Sequence, residues 1–344
     1  MKMGQKGLST TAMVGIVVAG AVVVVAVVAF VVLGGGPGSS ATQTTTATMA
    51  TTTTHITTTT TTTITTPAGQ PLDGPFEWDN DITQGSGAGT PPGGSTQDGP
   101  WNHRVMSATS SDGLSWVKDD IIIADQASVP DAILDSEGNM RIYYVDWYNG
   151  HVISVALSHD GTNWIYKKVT IQGEVAGSQS GISPVDPDIV LLPDGRYRLF
   201  YMYAGKIYSA VSNYGINFVK EDGVRFQEGG YTWMDPDVVK MGDVWRMFVW
   251  RAIGDTNQVI SAVSTDGLSF TKENVLTTVG NISCTIPVES GYRMYYVSGG
   301  IRSAFSSDGV NWVGEGLRLD GAADPTVIRL QDGSYKMFYK SWIE

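Results

Sequence analysis

One seven-residue motif recurs five times, and its spacing limits the fold more than any other feature of the chain. The copies run from Ser110 to Trp116, Ser158 to Trp164, Ser212 to Phe218, Ser264 to Phe270 and Ser306 to Trp312. Each reads Ser-x-Asp-Gly-x-x-aromatic, except that Tyr214 stands in the Asp position of the third. Their glycines, at 113, 161, 215, 267 and 309, are 48, 54, 52 and 42 residues apart. That period is the length of a four-stranded propeller blade. An Asp-Gly pair supplies the positive φ of a tight hairpin, so each copy joins two strands. The Asp and the aromatic are read as a folding device, the first spent on the turn and the second on packing between blades.

Two further strands fill each repeat. One is aromatic-rich: Arg141 to Val145, Tyr197 to Tyr201, Trp245 to Trp250, Tyr292 to Val297 and Tyr335 to Tyr339. Before each lies a strand opening on proline: Val129-Pro130-Asp131, Asp186-Pro187-Asp188, Asp235-Pro236-Asp237, Ile286-Pro287-Val288 and Asp324-Pro325-Thr326. Proline is tolerated at a strand's first residue, where its missing N–H costs least. The two series are out of phase. The first hairpin, about 103–120, lacks inner strands before it, and the last inner strands, about 324–340, lack a hairpin after them. Pairing the termini makes one composite blade and removes an open sheet edge. The expected fold is therefore all-β, a five-bladed propeller over residues 97–344 closed by its N- and C-terminal strands.

The rest of the chain is of other kinds. Ala12 to Leu33 carries no charge and as a helix would span roughly 33 Å, enough for a bilayer core. Lys2 and Lys6 precede it, so the positive-inside rule puts residues 1–11 in the cytoplasm and the propeller outside. A single-pass anchor at the cell membrane is expected over a cleaved signal peptide. Lys6-Gly7-Leu8-Ser9 also resembles an archaeal pilin-like processing site, which would leave the helix attached. Residues 34–70 open on Gly34-Gly35-Gly36-Pro37-Gly38 and continue as a tract that is mostly Thr. Such a stretch cannot bury a core and reads as a disordered, O-glycosylated stalk. Residues 71–96, rich in Gly and Pro, are expected to be an irregular approach. Asn281-Ile282-Ser283 is a short N-glycosylation match. The net charge of −12 disfavours a nucleic-acid partner, which needs clustered Lys and Arg. The single cysteine, Cys284, allows no intrachain disulfide and is read as a small buried residue.

In a meandering blade, the start of strand one and the loop after strand two share a face, opposite the Asp-Gly turns. The Asp-Pro residues should thus line the channel mouth, rimmed by Trp147, Tyr148, Trp250, Arg251 and Trp342. Carboxylates in a cleft beside aromatic platforms suit carbohydrate. Crowded carboxylates repel, which raises one or more pKa values as a general acid requires. Alternatively, the Asp residues are a blade consensus that caps backbone N–H groups.

The order of these residues resembles the five-bladed propeller glycosidases, the arabinanase, levansucrase and invertase superfamily and especially glycoside hydrolase family 43, over roughly residues 98–344. The resemblance implies a general base at Asp324, a pKa-modulating carboxylate at Asp186 and the general-acid position at Asp235. Asp131, Asp188 and Asp237 are read as substrate-binding residues. Two departures stand: the acid is Asp where that family has Glu, and the base blade is C-terminal rather than first. Two functions compete, a cell-surface glycoside hydrolase acting on a polysaccharide, and a non-catalytic propeller binding glycan or protein. No cofactor motif is present and no metal ligand set is assigned. Clustered Asp oxygens would suit Ca²⁺ at the axis, without EF-hand spacing to support it.

Overall fold

The structure is a computed structural model that describes residues 74–94, 98–174, 183–254 and 256–344, together with the backbone of 16–19 and 22–25. The chain divides into two units, Met1–Thr65 and Thr66–Glu344. In the first, β1 (Ile16–Ala19) and β2 (Val22–Val25) pair antiparallel inside the run read as a spanning helix. The remainder of the expected anchor, 12–33, and the stalk, 34–70, lie outside the described residues. Among the described residues no helix is long and apolar enough to cross a membrane.

The second unit is a five-bladed propeller. The first blade is β5 (Ala127–Leu134), β6 (Met140–Asp146), β7 (Val152–Ser158) and β8 (Ile165–Lys168). The second is β10 (Val185–Leu191), β11 (Tyr197–Tyr203), β12 (Lys206–Ser212) and β13 (Asn217–Lys220), extended by β9 (Thr170–Gln172). That fifth strand, absent from the sequence reading, leaves the first blade and pairs parallel with the outer edge of the second. The third is β14 (Met234–Met241), β15 (Val244–Ile253), β16 (Thr256–Ser264) and β17 (Thr271–Leu276). The fourth is β18 (Asn281–Val288), β19 (Gly291–Val297), β20 (Ile301–Ser306) and β21 (Val313–Leu319). The closing blade joins β22 (Ala323–Arg329) and β23 (Tyr335–Trp342) to β3 (His103–Ser110) and β4 (Val117–Asp125). The β23–β3 seam runs from Tyr335 opposite Ser110 to Trp342 opposite His103, so the expected closure by the two ends of the domain is observed.

The motif folds and packs as its chemistry requires. The serine hydroxyl accepts the glycine N–H in all five copies, at 2.7–2.9 Å. Asp112, Asp160, Asp266 and Asp308 each accept the two following free N–H groups. Each motif aromatic then meets, edge to face, a ring on strand two of the preceding blade. The pairs are Trp164–Phe338, Phe218–Tyr143, Phe270–Phe200, Trp312–Phe248 and Trp116–Tyr295, with centroids 5.7–6.2 Å apart. Edge-to-face packing is the favourable aromatic geometry. One such contact sits in each of five apolar clusters, one per blade interface.

Residues 74–94 are irregular and form a strap docked on the first blade. Asp81 N–H donates to the Tyr166 carbonyl and Asp81 accepts Lys168 N–H. The edge strand β8 is thereby covered. The chemistry behind this shows on comparing blades. In the other four, a basic residue on strand two pairs with an acid on, or one residue past, strand four: Arg198–Glu221, Arg246–Glu273, Arg293–Glu315 and Lys336–Asp119. The first blade has Lys167 on strand four. Its ammonium, buried within the fold, pairs at 2.8 Å with Asp79 of the strap, while Arg141 turns to Asp135 and stacks on Phe76. The strap thus supplies the carboxylate that the blade lacks.

Candidate functional site

Each innermost strand carries a bulge one residue before its Pro or Ser. Val129, Asp186, Asp235, Ile282 and Asp324 all have φ between 47° and 54°, a left-handed conformation that non-glycine residues adopt only under constraint. The register slips at this point in every blade, and such bulges re-aim a side chain. One position of the sequence reading is corrected here. In the fourth blade the equivalent of Asp-Pro is Ile282-Ser283, because Cys284 pairs with Tyr295, while Pro287 lies near the far end of β18, opposite Tyr292. The first ring is therefore Asp324, Val129, Asp186, Asp235 and Ile282, with Asp235 and Asp324 buried. Asp186 and Asp235 come from adjacent blades, and apolar residues separate them from Asp324 on either side.

Two residues further on in every blade is a second ring, Asp131, Asp188, Asp237, Cys284 and Thr326. Each side chain accepts a backbone N–H from the next blade. Asp131 takes Ile189 N–H at 2.7 Å, Asp188 takes Val238 N–H at 3.1 Å, and Asp237 takes Thr285 N–H at 3.1 Å. The Cys284 sulfur takes Val327 N–H at 3.3 Å, and Thr326 takes Ala132 N–H at 2.9 Å. This unbroken circle staples every blade to its neighbour. Asp131, Asp188 and Asp237, expected to contact substrate, thus have carboxylates engaged with backbone. They line an axial cavity of about 660 Å³ that extends along the inner strands to Leu134, Leu191 and Arg329 at their far ends.

The upper ring is differently engaged. The same strand-two position supplies a distinct neighbour in each acidic blade. Trp250 Nε1–H donates to Asp235 Oδ2 at 2.6 Å, and Lys340 Nζ lies 3.1 Å from Asp324 Oδ2. The equivalent residue beside Asp186 is the thioether Met202. Among the described residues, Asp186 accepts only the Asp235 N–H, at 3.5 Å, and Asp324 Oδ1 has no partner. Burial pushes Asp186 up to about 7, helped by the charge on Asp324. Burial, then the charges of Asp186 and Asp324, push Asp235 well above the carboxylate range, against the Trp250 bond and the Lys340 charge. Three carboxyl groups therefore share one electrostatic site, in which burial and mutual repulsion favour the protonated forms of Asp186 and Asp235.

Of the aromatic residues expected to rim the mouth, Tyr148 and Trp342 are 50 % and 40 % exposed. Trp147 packs edge-on to Trp101 at 5.3 Å. Arg251 is turned into its own blade, 3.5 Å above the Tyr231 ring with Nε donating to Gln258. Residues that the sequence reading missed are Lys340, Ser128, His103 and Asp98, which surround Asp324. Lys340 was detectable, since aligning the five second strands sets it at the position of Val145, Met202, Trp250 and Val297. Among the described residues, no group of three or more His, Cys, Asp or Glu side chains is arranged to hold a metal ion.

These shifts have a consequence for stability. The folded chain holds protons on Asp131 and Asp186 up to about 7, whereas unfolded carboxylates release them near about 4. Their contribution is complete below about 4 and is lost as pH rises through about 7. The turn residue Asp266, lowered to about 2 by backbone N–H groups, works oppositely and matters only in stronger acid. Thermal unfolding followed by circular dichroism should give a higher midpoint at pH 5 than at pH 8; a midpoint that climbs over that interval would contradict the buried acidic rings.

No protein-family model matches the chain, and no curated protein is similar to it in sequence. Solved structures do match. One is a thermostable family-43 glycoside hydrolase, 13 % identical, with a TM-score of 0.51 over 62 % of this chain and 88 % of that one. Another is an endo-1,4-β-xylanase from Bacteroides thetaiotaomicron, 16 % identical, with a TM-score of 0.52 over 62 % of this chain and 84 % of that one. The closed ring of five blades thus has the propeller fold of a family-43 glycoside hydrolase.

Proposed function

We propose that the propeller is a glycoside hydrolase that cleaves a polysaccharide at the channel mouth, with Asp235 as general acid, Asp324 as general base and Asp186 tuning Asp235. The observation that carries this reading is the unequal treatment of three equivalent aspartates. One is ion-paired to Lys340, one is bonded to an indole and pushed toward its protonated form by burial and by its neighbours' charges, and one has, among the described residues, only a long backbone bond. Glycoside hydrolysis needs a proton donor beside a proton acceptor, and setting the two environments apart produces them. Tyr148 and Trp342 would stack on sugar rings. The anchor and stalk read from the sequence would hold this site outside the cell membrane.

The test is release of reducing sugar from a panel of plant, algal and microbial glycans by the full-length protein. Hydrolysis of one class is expected. Retention of a glycan on the protein without cleavage, across the panel, would replace the hydrolase with the binding propeller, a reading favoured by the shorter Asp at the acid position.

A further inference from the structure

Asp324 is reached by a chain of side chains that the hydrolase reading does not use. His103, buried at the start of β3, has Nδ1 3.1 Å from Ser128 Oγ and Nε2 2.9 Å from Asp98 Oδ1. Ser128 Oγ in turn lies 3.4 Å from Asp324 Oδ2. We propose that His103 and Ser128 form a two-state proton switch that orients Asp324, with His103 a positioning residue. For its purpose, though not its existence, this rests on Asp324 being the base.

The switch follows from counting hydrogens. The Asp98 carboxylate is also bonded by Trp342 Nε1–H, at 3.1 and 3.2 Å. A carboxylate so placed only accepts, so Nε2 carries a proton whether the ring is neutral or charged. The variable nitrogen is Nδ1, and between it and Asp324 stands one hydroxyl with one hydrogen. With a neutral ring, Ser128 O–H donates to Nδ1 and Asp324 receives nothing from it. When Nδ1 gains a proton from solvent, Nδ1–H donates to Ser128 Oγ, and the hydroxyl hydrogen turns to Asp324 Oδ2. No bond is made or broken other than N–H, and the ring gains one positive charge. At 3.1 Å from Nδ1 and 3.4 Å from Asp324 Oδ2, the Ser128 hydroxyl is within reach of both partners, as the two states require.

The groups around His103 set where it switches. Burial and the Lys340 ammonium on β23 push its pKa down, while Asp98 and Asp324 oppose them. Trp342, edge-on at 5.9 Å, adds no charge. Since Asp324 Oδ1 is unpartnered, the partners of Oδ2 decide how the carboxyl group is turned. In the neutral state Lys340 alone holds it. In acid, Ser128 becomes a second holder, so the carboxylate keeps its aim as the pH falls.

The experiment is ¹⁵N NMR of histidine-labelled full-length protein, with the His103 signal identified by its loss in His103→Gln. Above the transition the spectrum should show an Nε2–H tautomer with Nδ1 accepting. Asp324→Asn removes the favourable charge and should lower the midpoint of His103 by roughly one pH unit. In a Ser128→Ala background that response should shrink. An Nδ1–H tautomer in the neutral ring, or a midpoint indifferent to Asp324→Asn, would overturn the switch. A coupled midpoint in a protein that cleaves no glycan would keep the switch and remove the hydrolase reading instead. Where a glycan is cleaved, Ser128→Ala should lose rate on the acid side of the pH profile and retain it near neutrality; uniform loss across pH would count against positioning.

Discussion

Asp235→Asn should reduce glycan turnover by about 10²–10⁴-fold, the contribution of a positioned proton donor. The amide keeps the volume of the side chain and its acceptor for the Trp250 indole, so the fold should be unaffected, but it has no proton to release to a leaving oxygen. Asp324→Asn should cost a similar factor by removing the acceptor and leaving Lys340 beside a neutral group. Asp186→Asn should act differently. Because the Asp186 charge helps hold the proton on Asp235, its removal lets Asp235 ionise at lower pH. Turnover in that variant should therefore fail first on the alkaline side, while activity in acid is retained. Steady-state rates from pH 4 to 9 separate these outcomes. Equal losses at every pH in all three variants would assign the residues a structural part only.

Phe338→Ala should destabilise the domain by about 3–5 kcal/mol, a large share of the roughly 5–15 kcal/mol available to a folded domain. Phe338 is fully buried on β23, beside the strand seam that closes the ring, and it receives the edge of Trp164 from the first blade. Its loss leaves a cavity at the one blade built from both ends of the domain. Closure there cannot be assisted by local chain connection, and every other interface depends on it for a closed circle. Chemical denaturation should show a lower midpoint than the wild-type protein. The same truncation at exposed Val313, 69 % accessible, should change little, and equal effects at both positions would argue against a ring locked at this seam.

Much of this architecture is legible in the sequence, because each blade writes its hairpin and its interface aromatic into seven contiguous residues. The phase offset between hairpins and inner strands was sufficient to foresee the composite blade. The fourth inner strand was misplaced because proline served as its marker. The structural requirement is the bulge, which Ile282-Ser283 makes without proline. The site was legible only in part. Asp186, Asp235 and Asp324 carry a visible motif, whereas His103, Ser128 and Lys340 become neighbours of Asp324 only through the register of three strands. The stapling by Asp131, Asp188 and Asp237 was not legible, because the N–H groups they accept belong to the next blade and are brought to them only by the closed ring. The strap was hidden for a related reason. Asp79 has meaning only beside Lys167, and Lys167 is conspicuous only once the strand-four acids of the other blades are aligned with it.

The most direct test is a crystal structure of the protein with an oligosaccharide from the glycan class it recognises. A sugar ring should lie on the propeller axis at the mouth, within hydrogen-bond reach of Asp235 and Asp324, with Tyr148 or Trp342 against a neighbouring ring. A sugar bound along the strap or on an outer blade edge, with the three aspartates still facing only one another, would contradict it.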